Sequence, residues 1–429
     1  MRLSGLMMTL ALAASSCTLT AQLDELKGER DAGASDGAGG AAGGAADGGS
    51  DADAAPAPGP EAPFGQIAAG GLHACLIDAK SDLYCWGSNV SGQLGTGQAG
   101  GQKAEPVKVA VGEAVKAVAC GGYHTCALAT AGSVYCWGKG SAGQLGAGNA
   151  DVPAPAKVDA LGDATAISAG ANHSCAIVAG SVLCWGSNSR GQLGVTGGNT
   201  PTPQKLTLSA ATSLAAGSLH GCAIASGGLH CWGANESGQL GNAALPDQAA
   251  PVKVSSSLPS LAVVGAGGRH TCVAANDGTL ECFGANSNGQ LGIGVSGAAP
   301  VGPSVVSGIS VKELALGDSH TCVVTTAGAA ACRGRRRQTA DRQRQRLGTR
   351  AHPPLLKLAA VTHVAAGTAF SCAISLSGQE AACWGQRLEA ARQEPESACF
   401  RARSTPFEPR LARAPIRACA PAPHPRHKF

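Results

Sequence analysis

The stretch GYHTCALATAGSVYCWGKGSAGQLG, residues Gly122–Gly146, decides the fold. It contains a His-x-Cys, an apolar pair, a Gly turn, a second apolar pair, Cys-Trp-Gly and Gly-Gln-Leu-Gly. The same ingredients recur along the chain, with the His at His73, His124, His173, His220, His270 and His320, and Phe370 in the seventh place. Successive copies lie about 50 residues apart, and a fixed interval of that size marks a repeat architecture rather than a set of unrelated domains.

Each copy reads as a hairpin. Cys175 and Cys184 lie symmetrically about Ala179-Gly180, and Cys222 and Cys231 about Ser226-Gly227, as a two-residue turn requires of directly paired positions. Where the two cysteines stand one residue further apart, the turn grows to match. Thr130-Ala131-Gly132, Asn276-Asp277-Gly278 and Thr326-Ala327-Gly328 each end in Gly, which suits the left-handed position closing such a loop. Upstream of each hairpin lies a strand rich in small residues, as at Val115–Gly121, Ala164–Gly170 and Leu261–Gly267. Before that comes another, as at Pro106–Val109 and Pro251–Val254. The apolar runs lack clean alternation, which suits sheets covered on both faces. Four-stranded units repeated radially are propeller blades, and closure into a ring fits near-equal units better than a solenoid. Gly at 62 of 429 residues and charged residues at 14% favour strands and tight turns over helices. The expectation is an all-β, seven-bladed β-propeller over residues 64–386.

The segments WGSNVSGQLG (Trp86–Gly95), Trp185–Gly194 and Trp232–Gly241 resemble the repeat of the regulator-of-chromosome-condensation family. The resemblance implies a seven-bladed propeller and leaves function open, because the fold hosts nucleotide exchange factors, light receptors and secreted inhibitors. The family's exchange activity on a nuclear GTPase has no matching position here.

Fourteen of the 18 cysteines fall into hairpin pairs: Cys75 with Cys85, Cys126 with Cys136, Cys175 with Cys184, Cys222 with Cys231, Cys272 with Cys282, Cys322 with Cys332, and Cys372 with Cys383. Paired positions across a hairpin bring Cβ atoms close enough to bridge, so one disulfide per blade is expected. A zinc site is not: each copy offers only a His and two Cys, without Cys-x-x-Cys clusters. No metal or cofactor is expected. Cys17, Cys120, Cys399 and Cys419 are left over.

Residues 1–17 read as an export signal: Arg2, the apolar run Leu3–Ala14, then small residues, in a run too short to span a bilayer. Its end, Ala13-Ala14-Ser15-Ser16-Cys17, resembles a bacterial lipoprotein cleavage box, which makes Cys17 a candidate lipidation site. The alternative is a secreted chain whose Cys17 leaves with the peptide. Residues 18–63 are dominated by Gly, Ala, Asp, Ser and Pro, with too little apolar surface to offset ordering entropy, and read as a flexible linker. A lipid, a tether and a globular head suit an exported outer-membrane or cell-surface protein.

The pattern breaks twice. After Cys332 the expected Trp-Gly-x-Asn is replaced by Arg333–Arg346, and residues 333–357 carry nine Lys/Arg against one acid. Residues 387–429, an Arg/Pro-rich tail, carry nine against four. Three readings fit these pieces: a polyanion patch, a solvated variable loop, or translation out of frame. Since the whole chain is only +4, the remainder is net negative, which argues against nucleic acid as a partner. The chain enters the first blade at Phe64, read as mid-blade, so a C-terminal strand is expected to complete it. Loss of pattern after Gly385 therefore predicts imperfect ring closure.

A His placed identically in six copies reads as structural, bonding a turn. Trp86, Trp137, Trp185, Trp232 and Trp384, with Phe283 in the fifth copy, read as packing between blades. No nucleophile elbow or phosphate loop is evident. Asp78, Asp82, Asp151, Asp247 and Asp277 are scattered, with no pair selected for catalysis. The expectation is a non-enzymatic, monomeric binding scaffold for a protein or glycan. It would use the loops Thr96–Glu105, Ala147–Pro155, Val195–Pro203, Asn242–Ala250 and Ile293–Pro303 as inter-blade surfaces, and touch a membrane only through a lipid anchor. The alternatives are a propeller enzyme acting on extracellular polysaccharide and a decaying, non-functional copy.

Overall fold

In the computed structural model, which describes residues 64–334, 360–375, 377–378, 380–385 and 400–403, the cysteine-bearing hairpin is the middle of each four-stranded sheet and the last two strands of the three-stranded one. Blade one runs β1 (Gln66–Ala69), β2 (His73–Ile77), β3 (Leu83–Ser88) and β4 (Gln102–Val109); blade two β5 (Val115–Cys120), β6 (His124–Ala129), β7 (Val134–Gly138) and β8 (Val152–Lys157). Blade three holds β9 (Ala164–Ala169), β10 (His173–Val178), β11 (Ser181–Gly186) and β12 (Thr200–Lys205); blade four β13 (Ala211–Ala216), β14 (His220–Ala225), β15 (Gly228–Gly233) and β16 (Gln248–Lys253). Blade five holds β17 (Leu261–Ala266), β18 (His270–Ala275), β19 (Leu280–Asn286) and β20 (Gly297–Val306); blade six β21 (Val311–Leu316), β22 (His320–Thr325) and β23 (Ala330–Gly334). Blade seven holds β24 (Val361–Ala366), β25 (Phe370–Ser375), β26 (Glu380–Gly385) and β27 (Phe400–Arg403). Each sheet is antiparallel in chain order.

The hairpin register follows from the turn. Val178 pairs with Ser181 across Ala179 and Gly180, whose φ values of 47° and 72° are the pair of positive angles that a tight hairpin turn needs. Cys175 then faces Cys184, and the same register puts every hairpin pair in contact. One disulfide stands in each blade: Cys75 with Cys85, Cys126 with Cys136, Cys175 with Cys184, Cys222 with Cys231, Cys272 with Cys282, Cys322 with Cys332, and Cys372 with Cys383. Their Cα atoms are 4.0–4.1 Å apart. Both members are buried in the first five blades, Cys136 and Cys282 included. Cys332 and Cys383 are partly exposed, and they belong to the two blades where the sequence pattern fails.

There is no single core. Seven apolar clusters each lie between two blades, and the hairpin cysteines contribute to all of them. The first strands, β1, β5, β9, β13, β17, β21 and β24, pack side by side around the axis, and β24 packs on β1. Their exposed edge is partly satisfied by the preceding blade: the amides of Val118, Ala216, Val264 and Val364 donate to the side chains of Gln66, Ser168, Ser213 and Glu313.

The ring is closed, and this corrects the expectation of poor closure. The cluster joining blades seven and one contains Phe64, Ile67, Ala74, Leu76 and Trp86 together with Phe370, Cys372, Ile374 and Ala381. Phe64 N donates to Gly378 O at 2.9 Å, and Thr368 N to Gly70 O at 3.1 Å. Blade one needs no strand from the C-terminus, because all four of its strands come from residues 66–109. The fourth strand of blade seven lies past residue 386, where the sequence pattern stops. The signal segment and Cys17, the linker, most of the Arg-rich run, Cys399 and Cys419 lie outside the described residues.

Candidate functional site

The recurring residues assemble into one device repeated between blades. Thr125 Oγ1 in blade two donates to the backbone carbonyl of Gln93 in blade one at 2.7 Å, so the bond it makes to His73 Nε2 at 2.8 Å must be one it accepts. His73 therefore carries its proton on Nε2. Ser174 does the same between Gln144 O and His124, and Thr271 between Gln239 O and His220. His270 bonds Thr321 and His320 bonds Ser371. The Gln carbonyl also receives the next blade's indole, from Trp137, Trp185 and Trp232 Nε1 at 2.9–3.0 Å. The His thus reaches the neighbouring blade rather than a turn.

Burial holds His73 and His173 down to about 4, and His124, His220 and His270 down to about 3, so all five are neutral imidazoles. None can serve a substrate, since each is fully enclosed. Two junctions depart from the pattern. His173 has no partner on either nitrogen, because Gly221 stands where other blades place Thr or Ser. At the closing junction Phe370 replaces the His and Ala74 replaces the hydroxyl residue, and both lie in the shared apolar cluster.

A glycine next to each His explains how closely the blades approach. A Cβ at Gly70 would sit 2.3 Å from Gly121 O, one at Gly121 2.6 Å from Gly170 O, and the series continues to Gly367, where it would sit 2.4 Å from Gly70 O. No other residue fits there.

The variable loops stand on the face this device supports. Antiparallel order places the first-to-second turn and the third-to-fourth connection at the same end of each blade. The amides of Ser88, Lys139, Ser187, Ala234 and Ala285, which open the third-to-fourth loops, donate to the turn carbonyls of Leu72, Tyr123, Asn172, Leu219 and Arg269. The loops expected between blades are therefore within blades, and the short links from blade to blade lie at the opposite end. In blades one, three, four and five the loop grows from an Asn corner. In blade three, for instance, Asn188 Oδ1 accepts the Leu193 amide while its Nδ2 donates to Val195 O and Gly197 O. Asn235 repeats this in blade four, reaching Asn242 O and Leu245 O.

Of six exposed large apolar side chains among the described residues, five are on this face: Leu72, Val90, Tyr123, Leu245 and Val295. Lys139 stacks over Tyr123, 5.6 Å from the ring centre, and Arg190 bridges to Glu236 and Asp247 across blades three and four. Asp151 and Asp247 cap loops here, accepting from Gly140 N and Asn235 N, while Asp78 and Asp82 share the hairpin turn of blade one and Asp277 sits in that of blade five, both at the other end. Where Trp should follow Cys332, Arg333 donates to Gly292 O instead, beside a small cavity lined by Leu280, Leu291, Val306 and Val323.

Comparison with known proteins agrees with this construction. The model of the regulator of chromosome condensation (RCC1) repeat matches residues 80–128, 131–177, 179–224, 226–274 and 277–324. A mitochondrial RCC1 domain-containing protein, RUG3 of Arabidopsis thaliana, is 34% identical over 119 residues, covering 27% of each chain. Protein RCC2 of Mus musculus is 42% identical over 89 residues, 20% of this chain and 17% of that protein. The matched region thus spans about a quarter or less of these relatives. Human WBSCR16 superposes with a TM-score of 0.63 at 21% identity, covering 71% of this chain and 84% of that one. Yeast RCC1 (Prp20), solved bound to Kap60, gives 0.60 at 22% identity, covering 71% and 78%.

Proposed function

Because the chain belongs to the RCC1 repeat family, we propose that it is a non-enzymatic binding scaffold taking a protein or glycan partner on the loop face. The observation that carries this is the segregation of surface types. Five of the six exposed large apolar side chains among the described residues lie at the end that carries loops differing in every blade, and the sixth, Val305, stands on the outer strand of blade five near the other end. Exposed apolar groups gathered on one face of a rigid body mark interaction sites. Partner binding by a related propeller, yeast RCC1 with Kap60, fits the same reading.

The setting we infer is the cell surface or the extracellular medium. Seven disulfides persist in an oxidising compartment, and the first residues read as an export signal ending at Cys17. Replacing the loop residues ahead of the fourth strands (Thr96–Gly101, Ala147–Ala150, Val195–Gly198, Asn242–Pro246 and Ile293–Ser296) with Gly/Ser chains of equal length tests the binding claim. Capture of partners from an outer-surface fraction should be lost while the unfolding midpoint stays put, and undiminished capture would refute it. Fatty-acid labelling that survives Cys17→Ala would rule out that residue as the anchor.

A further inference from the structure

The junction between blades one and two holds one thiol more than any other described junction. Cys120 ends β5, the axial strand of blade two, and is the free cysteine among the described residues. At the corresponding place other blades have Ala69, Ala169, Ala216, Ala266, Leu316 and Ala366. Its sulfur, the Cys75 sulfur and a ring nitrogen of His73 lie within 4.8 Å of one another. Cys75 is in turn bonded to Cys85. The His73 ring is buried, its Nε2 is committed to Thr125, and its Nδ1 lone pair has no partner. The Cε1 edge of that ring and the Cβ of Cys120 both converge on Gly70. A nucleophile and an electrophilic disulfide thus share one pocket, with a neutral imidazole beside them.

We propose that Cys120 is a resolving thiol for the Cys75–Cys85 bond, converting the hairpin disulfide of blade one into a Cys75–Cys120 bond that ties blade one to blade two. The Cys120 sulfur attacks the Cys75 sulfur; the Cys75–Cys85 bond breaks as the Cys75–Cys120 bond forms. Cys120 gives up its proton as it attacks, and the released Cys85 sulfur takes one up. One disulfide and one thiol stand on each side, so no oxidant or reductant is consumed. The two sulfurs start within 4.8 Å of one another. Low-dielectric surroundings push the Cys120 thiol up, so the exchange is slow in the resting fold and gains rate as the medium becomes alkaline. The product joins two blades covalently where every other staple lies within one blade.

The test uses the full oxidised chain, incubated at mildly alkaline pH, acid-quenched, alkylated and mapped by proteolysis and mass spectrometry. A Cys75–Cys120 peptide pair that grows with time, together with alkylated Cys85, is expected, and Cys120→Ser should lack both. A map that keeps Cys75–Cys85 alone with Cys120 alkylated throughout overturns the proposal, as does indiscriminate pairing of Cys120 with other cysteines. In Cys85→Ala, where Cys75 has no hairpin partner, oxidation in glutathione buffer should protect both Cys75 and Cys120 from alkylation. Finding both alkylated there removes the geometric basis.

Discussion

His173 and His124 occupy the same place in adjacent blades, yet they contribute with opposite sign. His124 passes a hydrogen bond to Ser174, whereas His173 faces Gly221 and leaves two buried nitrogens unpaired. An unpaired buried polar atom costs about 1–3 kcal/mol. His173→Phe is therefore expected to raise stability by about 1–2 kcal/mol, and His124→Phe to lower it by about 1 kcal/mol, read from urea unfolding midpoints. Equal effects of the two would contradict the relay. The five fully buried imidazoles also set a pH dependence. Their folded values of about 3 to 4 lie below the 6.5 of an exposed His, so the unfolded chain binds more protons between those limits. Stability should be complete above pH 6.5 and fall as the medium is acidified towards pH 4, at about 1.4 kcal/mol per pH unit for each His. A flat midpoint over that window would exclude the buried neutral state. The recurrence of the His was readable from the chain alone. Its partner was not, because the hydroxyl that completes the relay belongs to the next copy, and linear order does not show which way neighbouring blades lean.

At the scale of the hairpin, turn length and cysteine spacing vary together, so the register of Cys175 against Cys184 could be read directly. Removing that pair by Cys175→Ala and Cys184→Ala should lower stability by roughly 2–3 kcal/mol, because the short loop it closes restricts the unfolded chain modestly. Chemical denaturation measures this, and no change would mean the turn alone supplies the constraint. The fifth junction offers a gain instead of a loss. Arg333 stands where an aromatic ring fills the blade contact elsewhere, beside a residual cavity. Arg333→Trp should fill it and raise the midpoint by the equivalent of about 1–2 kcal/mol. The loops were harder to place. Their variability was visible, but the chain does not announce which strand completes a blade. Only the pairing of β4 with β3, repeated in later blades, shows that they arise within blades and share one end.

Across the whole molecule, closure depends on the one junction whose chemistry differs. Six His residues recur, and the seventh copy has Phe370; six copies of the following position are polar or glycine, and the one facing Phe370 is Ala74. The two exceptions meet. An open ring would leave a Phe and its apolar surroundings in water, whereas in the closed ring Phe370 is buried against Phe64, Ile67 and Leu76. The loss of the repeat pattern after Gly385 made closure look doubtful because it removed the expected outer segment. The contact that closes the ring is made by inner strands, which that loss does not touch. The face that carries the loops is continuous only if this contact holds, so the binding reading stands on it too.

The most direct test is a double-mutant cycle across that contact in the full chain, with Phe370→His and Ala74→Thr measured singly and together by chemical denaturation. Each single change should destabilise, the first by burying an unpartnered imidazole and the second by crowding an apolar seam. The double variant, which recreates the His–hydroxyl pair used between other blades, should recover about 1–2 kcal/mol of the summed loss. Strictly additive losses would mean that Phe370 and Ala74 do not meet, and the closed ring would be contradicted.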